Sequence, residues 1–230
     1  MSRTIRELVE ERSAEMFGRT AEKAALLETL EEGGPLVVFV HGIAGVGKST
    51  LLEAFSSEAR SLGETVVAID CRSIEPTERG FLDRLGSAVG GTPANAEDAA
   101  QRLAGLGERV VLVLDTYEIL RLLDSWIRLV FTPALHDKTR LVVAGREPPM
   151  ASWHATPGWS ELVRSVRLGN LDDGEAGELL TRAGLDAADA RRVNRLARGH
   201  PLSLELAAAA VTAAPTSSSR TSRCRQSSTS

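Results

Sequence analysis

Runs of aliphatic, mostly β-branched residues recur along the first three quarters of the chain, at 36–40, 64–70, 109–115, 140–145 and 162–168. Each is bounded by glycine, proline or charge. The run Leu36-Val37-Val38-Phe39-Val40 has no polar interruption, the pattern of a strand covered on both faces. Between these runs, apolar residues return at three- and four-residue intervals and predict helices over 20–30, 50–61, 77–89, 94–106 and 119–135. Thr20 is the expected N-cap of the first of these helices, and Gly33-Gly34-Pro35 ends it. Strands alternating with helices specify an α/β fold with a parallel sheet covered on both sides.

Beyond Gly169 the pattern is helical only, over 172–183, 186–197 and 201–213, with Gly184 and Gly199 as punctuation. This reads as a small helical subdomain over 170–214 following an α/β domain over 17–169. Residues 3–15 predict a charged helix with a thin apolar face at Ile5, Leu8 and Val9, giving an N-terminal helix within 1–16. The last fifteen residues hold seven serines, three threonines and three arginines without apolar periodicity, so 215–230 is expected to be a disordered tail.

The junction of the 36–40 strand and the 50–61 helix carries the sharpest chemistry. Gly42-Ile43-Ala44-Gly45-Val46-Gly47-Lys48-Ser49 fits the phosphate-binding pattern G-x-x-x-x-G-K-[ST] without a gap. Glycines at 42, 45 and 47 allow a tight turn, so that N–H groups of the run, Val46 included, converge on phosphate oxygens at a helix N-terminus. Lys48 is placed to reach the β- and γ-phosphates, Ser49 to ligate Mg²⁺, and Thr50 to touch the α-phosphate.

Asp115 ends the 109–115 strand and is expected on the Mg²⁺ side of the same site. The residue after it is Thr116, where many ATPases carry a glutamate. Glu118 is then the nearest candidate base, with a solvated first-turn residue as the competing reading. Arg146 closes the 140–145 strand as a candidate γ-phosphate sensor, against a surface arginine capping Glu147. Asp70 ends the second strand and is expected to organise the Cys71-Arg72 turn, with a role near the catalytic water as the competing reading. His200 reads as a turn residue.

Phe17-Gly18-Arg19 before a helix, the P-loop strand, Leu-Asp-Thr-Tyr-Glu at 114–118, Ala-Gly-Arg at 144–146 and Gly199-His200-Pro201-Leu202 occur in this order. In that order they resemble the STAND class, the signal-transduction ATPases that include NB-ARC and bacterial transcription-regulator ATPases and are related to AAA+ proteins. The resemblance covers about 14–213. It implies a P-loop NTPase with a five-stranded parallel sheet in the order 5-1-4-3-2 and a helical lid. It also implies that Phe17, Gly18 and Arg19 line the adenine side, that Arg146 senses the γ-phosphate, and that Pro201 packs on the base from the lid. The winged-helix, sensor and effector domains usual in that class have no room after Ala214, so a truncated or frameshifted member is expected.

Composition narrows the function. The chain has 230 residues, 43% hydrophobic and 25% charged, with a formal charge of −4 and lysine only at 23, 48 and 138. There is room for one α/β domain with a helical appendage. No global basic footprint points to nucleic acid. Cys71 and Cys224 lack metal spacing, no apolar run reaches membrane length and no signal core precedes the domain, so a cytoplasmic setting is expected.

The leading reading is an ATP/ADP-binding regulatory switch with slow Mg²⁺-dependent hydrolysis, acting on a protein partner or missing effector domain, with nucleotide-dependent self-association as an option. The alternatives are an AAA+ or initiator-like ATPase acting on DNA through Arg191, Arg192, Arg195 and Arg198, a binding module without appreciable catalysis, and a small-molecule kinase.

Overall fold

The computed structural model describes residues 18–155 and 157–213. The expected N-terminal helix, Phe17 and the tail lie outside the described residues. Five parallel strands, β1 (Val37–His41), β2 (Thr65–Asp70), β3 (Val110–Asp115), β4 (Thr139–Gly145) and β5 (Val163–Arg167), form one sheet in the order β2-β3-β4-β1-β5. This is the expected order. All four neighbouring pairs run parallel, so the C-terminal ends of the strands share one edge.

Alternation along each strand divides its side chains between two cores. Phe39, Leu112, Leu114, Leu141 and Val143 face the helices α3 (Glu78–Val89) and α4 (Ala96–Ala104) and the segment from Tyr117 to Ala134. Val38, Val40, Val111, Val113 and Val142 face α1 (Thr20–Leu27) and α2 (Lys48–Ser61). Burial on both faces is why these strands carry unbroken apolar runs. A third core of Leu171, Ala176, Leu180, Val193, Leu204 and Ala208 holds together the lid helices α5 (Asp173–Arg182), α6 (Ala187–Ala197) and α7 (Pro201–Ala213). Among the described residues no helix is long and apolar enough to cross a membrane.

Two local expectations are corrected. Thr20 is the first helical residue of α1, not its cap; the cap position belongs to Arg19, in the left-handed region at φ 59° with no side-chain capping bond. The Arg19 N–H is instead satisfied by Glu175 Oε1 of the lid, 2.8 Å away. The 119–135 stretch is also not one α-helix. It begins as a 3₁₀ helix over Tyr117–Leu123 and widens to a π-helix over Ile127–Phe131, where the Thr132 N–H and Oγ1 both donate back five residues to Ile127 O. Pro133, without an N–H, denies the ladder its next regular bond.

Candidate nucleotide site

Gly47, at φ 97°, is the N-cap of α2, so the phosphate-loop amides point outward at a helix N-terminus. Gly42 serves a different purpose from the turn expected of it: a Cβ there would stand 2.4 Å from the Leu168 carbonyl oxygen. Close approach of the chain leaving β5 is what excludes a side chain. Lys48 Nζ donates to Gly42 O at 2.7 Å and Ile43 O at 3.0 Å, which holds the ammonium at the loop. Burial lowers its pKa from the ordinary lysine value, opposed by Glu118 and Asp115 and aided by Arg146.

Ser49 Oγ donates to Asp115 Oδ2 at 2.6 Å, and the Thr116 N–H donates to Asp115 Oδ1 at 2.7 Å. Thr116 has φ 59°, unusual for a β-branched residue and a mark of a constrained strand exit. The hydroxyl of Ser49 and the carboxylate of Asp115 are both hard oxygen donors, so the pair suits Mg²⁺. Bound there, the ion would neutralise developing charge on terminal phosphate oxygens. Thr50 and Val46 line the same cleft.

Arg146 Nε lies 2.9 Å from Glu118 Oε1, which joins the two candidate groups in one ion pair. Glu118 lies in the first turn of the Tyr117–Leu123 helix, partly exposed but with Oε2 buried and without a hydrogen-bond partner. Arg146 is a surface arginine, yet it does not cap Glu147, which pairs with Arg121. Asp70 accepts from the Arg72 N–H and guanidinium, as the turn reading expected, and Arg72 itself lines the cleft. Nothing in the sequence patterning singled out Arg72 beyond its position two residues after a strand-terminal carboxylate.

On the opposite side Gly18 and Arg19 meet the lid. The buried Arg19 guanidinium donates to Glu22 Oε1 (3.1 Å), Val46 O (3.3 Å) and Gly169 O (2.5 Å). It fastens α1 to the phosphate loop and the β5 exit while lining the cleft with Leu171, Leu179, Pro201 and Leu202. Pro201 is thus at an apolar end of the cleft, and His200 is more than a turn residue. Its Nε2 is 3.0 Å from Ala44 O; because a carbonyl only accepts, that nitrogen carries the proton, and Nδ1 is left to accept from Ser203. The Leu202 N–H donates to Gly45 O at 3.2 Å. Gly45, at φ 74°, has no room for a Cβ, which would come within 2.8 Å of His200 Cε1.

The cleft has a volume of about 720 Å³, within the range of small-molecule and cofactor sites. Comparison with known proteins agrees with this geometry. The family model described as "AAA ATPase domain" matches residues 15–226. The Orc1 protein of Aeropyrum pernix in complex with DNA superposes with a TM-score of 0.57 at 20% identity, over 91% of this chain and 60% of that one. The replication initiator DnaA bound to AMPPCP and single-stranded DNA gives 0.57 at 15% identity, over 85% and 61%. The Thermotoga maritima RuvB Holliday junction branch migration motor gives 0.52 at 21%, over 83% and 61%. The chain therefore spans about 60% of the length of these structures. Among curated proteins none matches. These likenesses identify the fold and the broad family, not specifically its signal-transduction branch.

Proposed function

We propose, from the premise that this chain belongs to the AAA ATPase domain family, that it is an ATP/ADP switch of the signal-transduction type, with slow Mg²⁺-dependent hydrolysis. The observation that carries the reading is the seat of the lid on the phosphate loop, through Leu202 N–H to Gly45 O and His200 Nε2 to Ala44 O. Any change in the loop on binding phosphates is felt directly by α7, and through α7 by whatever partner or effector domain reads the lid.

In this reading the P-loop amides and Lys48 bind the phosphates, Ser49 and Asp115 hold Mg²⁺, and Thr50 contacts the α-phosphate. Phe17, Gly18, Arg19 and Pro201 border the base. Glu118 orients and deprotonates water, and Arg146 engages the γ-phosphate. Hydrolysis is slow because Thr116 replaces the usual glutamate after Asp115, and because Glu118 is paired to Arg146 and must be released before it can act.

Hydrogen exchange at the Leu202 amide tests the switch. Protection that differs between the ATP- and ADP-loaded protein supports it. Identical protection with both nucleotides bound contradicts it.

A second reading, an ATPase acting on DNA in the manner of the initiators, is favoured by one observation: Arg191, Arg192, Arg195 and Arg198 are all exposed on α6 and its C-cap. Binding of duplex DNA with a steep salt dependence would promote it. The body's acidic balance argues for the switch.

A further inference from the structure

We infer that Arg72 is a second cation for the terminal phosphate, handed over from Asp70 when a triphosphate binds, so that the Asp70–Arg72 pair sets the preference for ATP over ADP. The inference rests on the nucleotide reading above and adds a residue and a specificity to it.

Strand register brings the pair to the site. Asp70 on β2 stands opposite Asp115 on β3, so two carboxylates end adjacent strands on the edge where the phosphate loop opens. Past Asp70 the chain makes a single 3₁₀ turn over Cys71–Ser73, fixed by the Arg72 N–H to Asp70 Oδ1 (2.9 Å) and by Ser73 Oγ to Asp70 O (2.7 Å). That turn projects the Arg72 side chain into the cleft it lines with Lys48, Ser49, Asp115 and Arg146.

The direction of a bound nucleotide follows from the sheet order. The apolar end of the cleft, with Leu171 and the Arg19 contact to Gly169, lies just after β5, at one edge of the sheet. β2 is the opposite edge. A nucleotide with its base at the apolar end and its phosphates on the loop between β1 and α2 extends its terminal phosphate toward β3 and β2. Arg72 is the cation waiting there.

The guanidinium is already arranged as a fork. Arg72 Nε donates to Asp70 Oδ1 (3.0 Å) and Oδ2 (2.9 Å), and a terminal nitrogen donates to Oδ2 at 2.6 Å. The same fork fits two oxygens of a phosphate. The side chains are 71% and 42% exposed, and such surface pairs contribute little to stability, so exchanging carboxylate for phosphate costs the fold little. Arg72 hydrogen bonding holds the Asp70 carboxyl below its ordinary range. Lys48, Arg72 and Arg146 stand near Asp70, Asp115 and Glu118, and the greater charge of a triphosphate competes with Asp70 for Arg72 more strongly than that of a diphosphate does.

Calorimetric titration of Mg·ATP and Mg·ADP into the full chain, Arg72→Ala and Asp70→Asn tests this, with thermal melting to verify that each variant folds. Loss of one charge-assisted fork predicts that Arg72→Ala weakens ATP binding about ten-fold while ADP changes by less than about two-fold. Asp70→Asn, which removes the competitor, strengthens ATP binding relative to ADP. A merely structural turn predicts that ATP and ADP are weakened together in both variants, with no gain for ATP over ADP in Asp70→Asn, and that result overturns the inference. So does an unchanged ATP-to-ADP ratio in Arg72→Ala. Failure of the wild-type chain to bind either nucleotide removes the nucleotide reading itself, a distinct outcome that overturns both.

Discussion

Arg146 Nε and Glu118 Oε1 stand 2.9 Å apart, so the arginine that follows β4 and the carboxylate expected to act on water neutralise each other at the mouth of the cleft. Neither is at liberty while the pair persists. A γ-phosphate that draws Arg146 away would release Glu118 at the moment a triphosphate is present.

Glu118→Gln is accordingly expected to slow single-turnover ATP hydrolysis by about 10²- to 10⁴-fold, the usual worth of general-base assistance. ATP affinity should stay close to wild type. Filter assays of ³²P release under single-turnover conditions measure the first quantity. An unaltered rate would remove Glu118 from the base role.

Asp124 is expected to be a stability residue. It is buried, and its Oδ1 accepts from Tyr117 OH and Trp153 Nε1, both at 2.9 Å. Asp124→Ala leaves two buried donors without their acceptor and should lower unfolding free energy by about 2–4 kcal/mol in urea titrations. A loss below about 1 kcal/mol would mean that water replaces the carboxylate.

That network also shows where reading the sequence stopped. The strands were legible because residues such as Val110 to Leu114 need no partner to declare two-sided burial, and the P-loop because its spacing is local. Trp153 sits in a one-turn helix, Ser152–Ala155, that carries no periodic signal and is fixed by tertiary contacts, an edge-on packing against Phe39 at 4.9 Å and the bond to Asp124. The left-handed Arg19 depends on Glu175, far along the chain. The Arg72 fork depends on β2 lying beside β3. Contacts across such separations leave no local pattern to read.

Cys71 yields a pH prediction. The thiol is fully buried beneath the end of β2, and burial, followed by the charges of Asp115, Asp70 and Glu118, pushes its pKa from 9.0 up to about 12. A folded value above the unfolded one means that the stability from keeping the thiol neutral is whole below pH 9.0 and is lost as pH rises toward 12. In a Cys224→Ser background, Cys71→Ala should therefore flatten the alkaline fall in the urea midpoint. Alkylation of Cys71 at mildly alkaline pH should proceed only as fast as the protein opens. Rapid alkylation of the folded chain would contradict the burial.

Calorimetric titration of Mg·ATP and Mg·ADP into the wild-type chain and Lys48→Ala tests nucleotide binding at the P-loop most directly. One site for each nucleotide is expected in the wild type, with ATP binding weakened about 10- to 100-fold in Lys48→Ala through loss of a charge-assisted contact to phosphate oxygens. Equal affinity in the two proteins, or no binding heat from either nucleotide in the wild type, would contradict the assignment of this cleft.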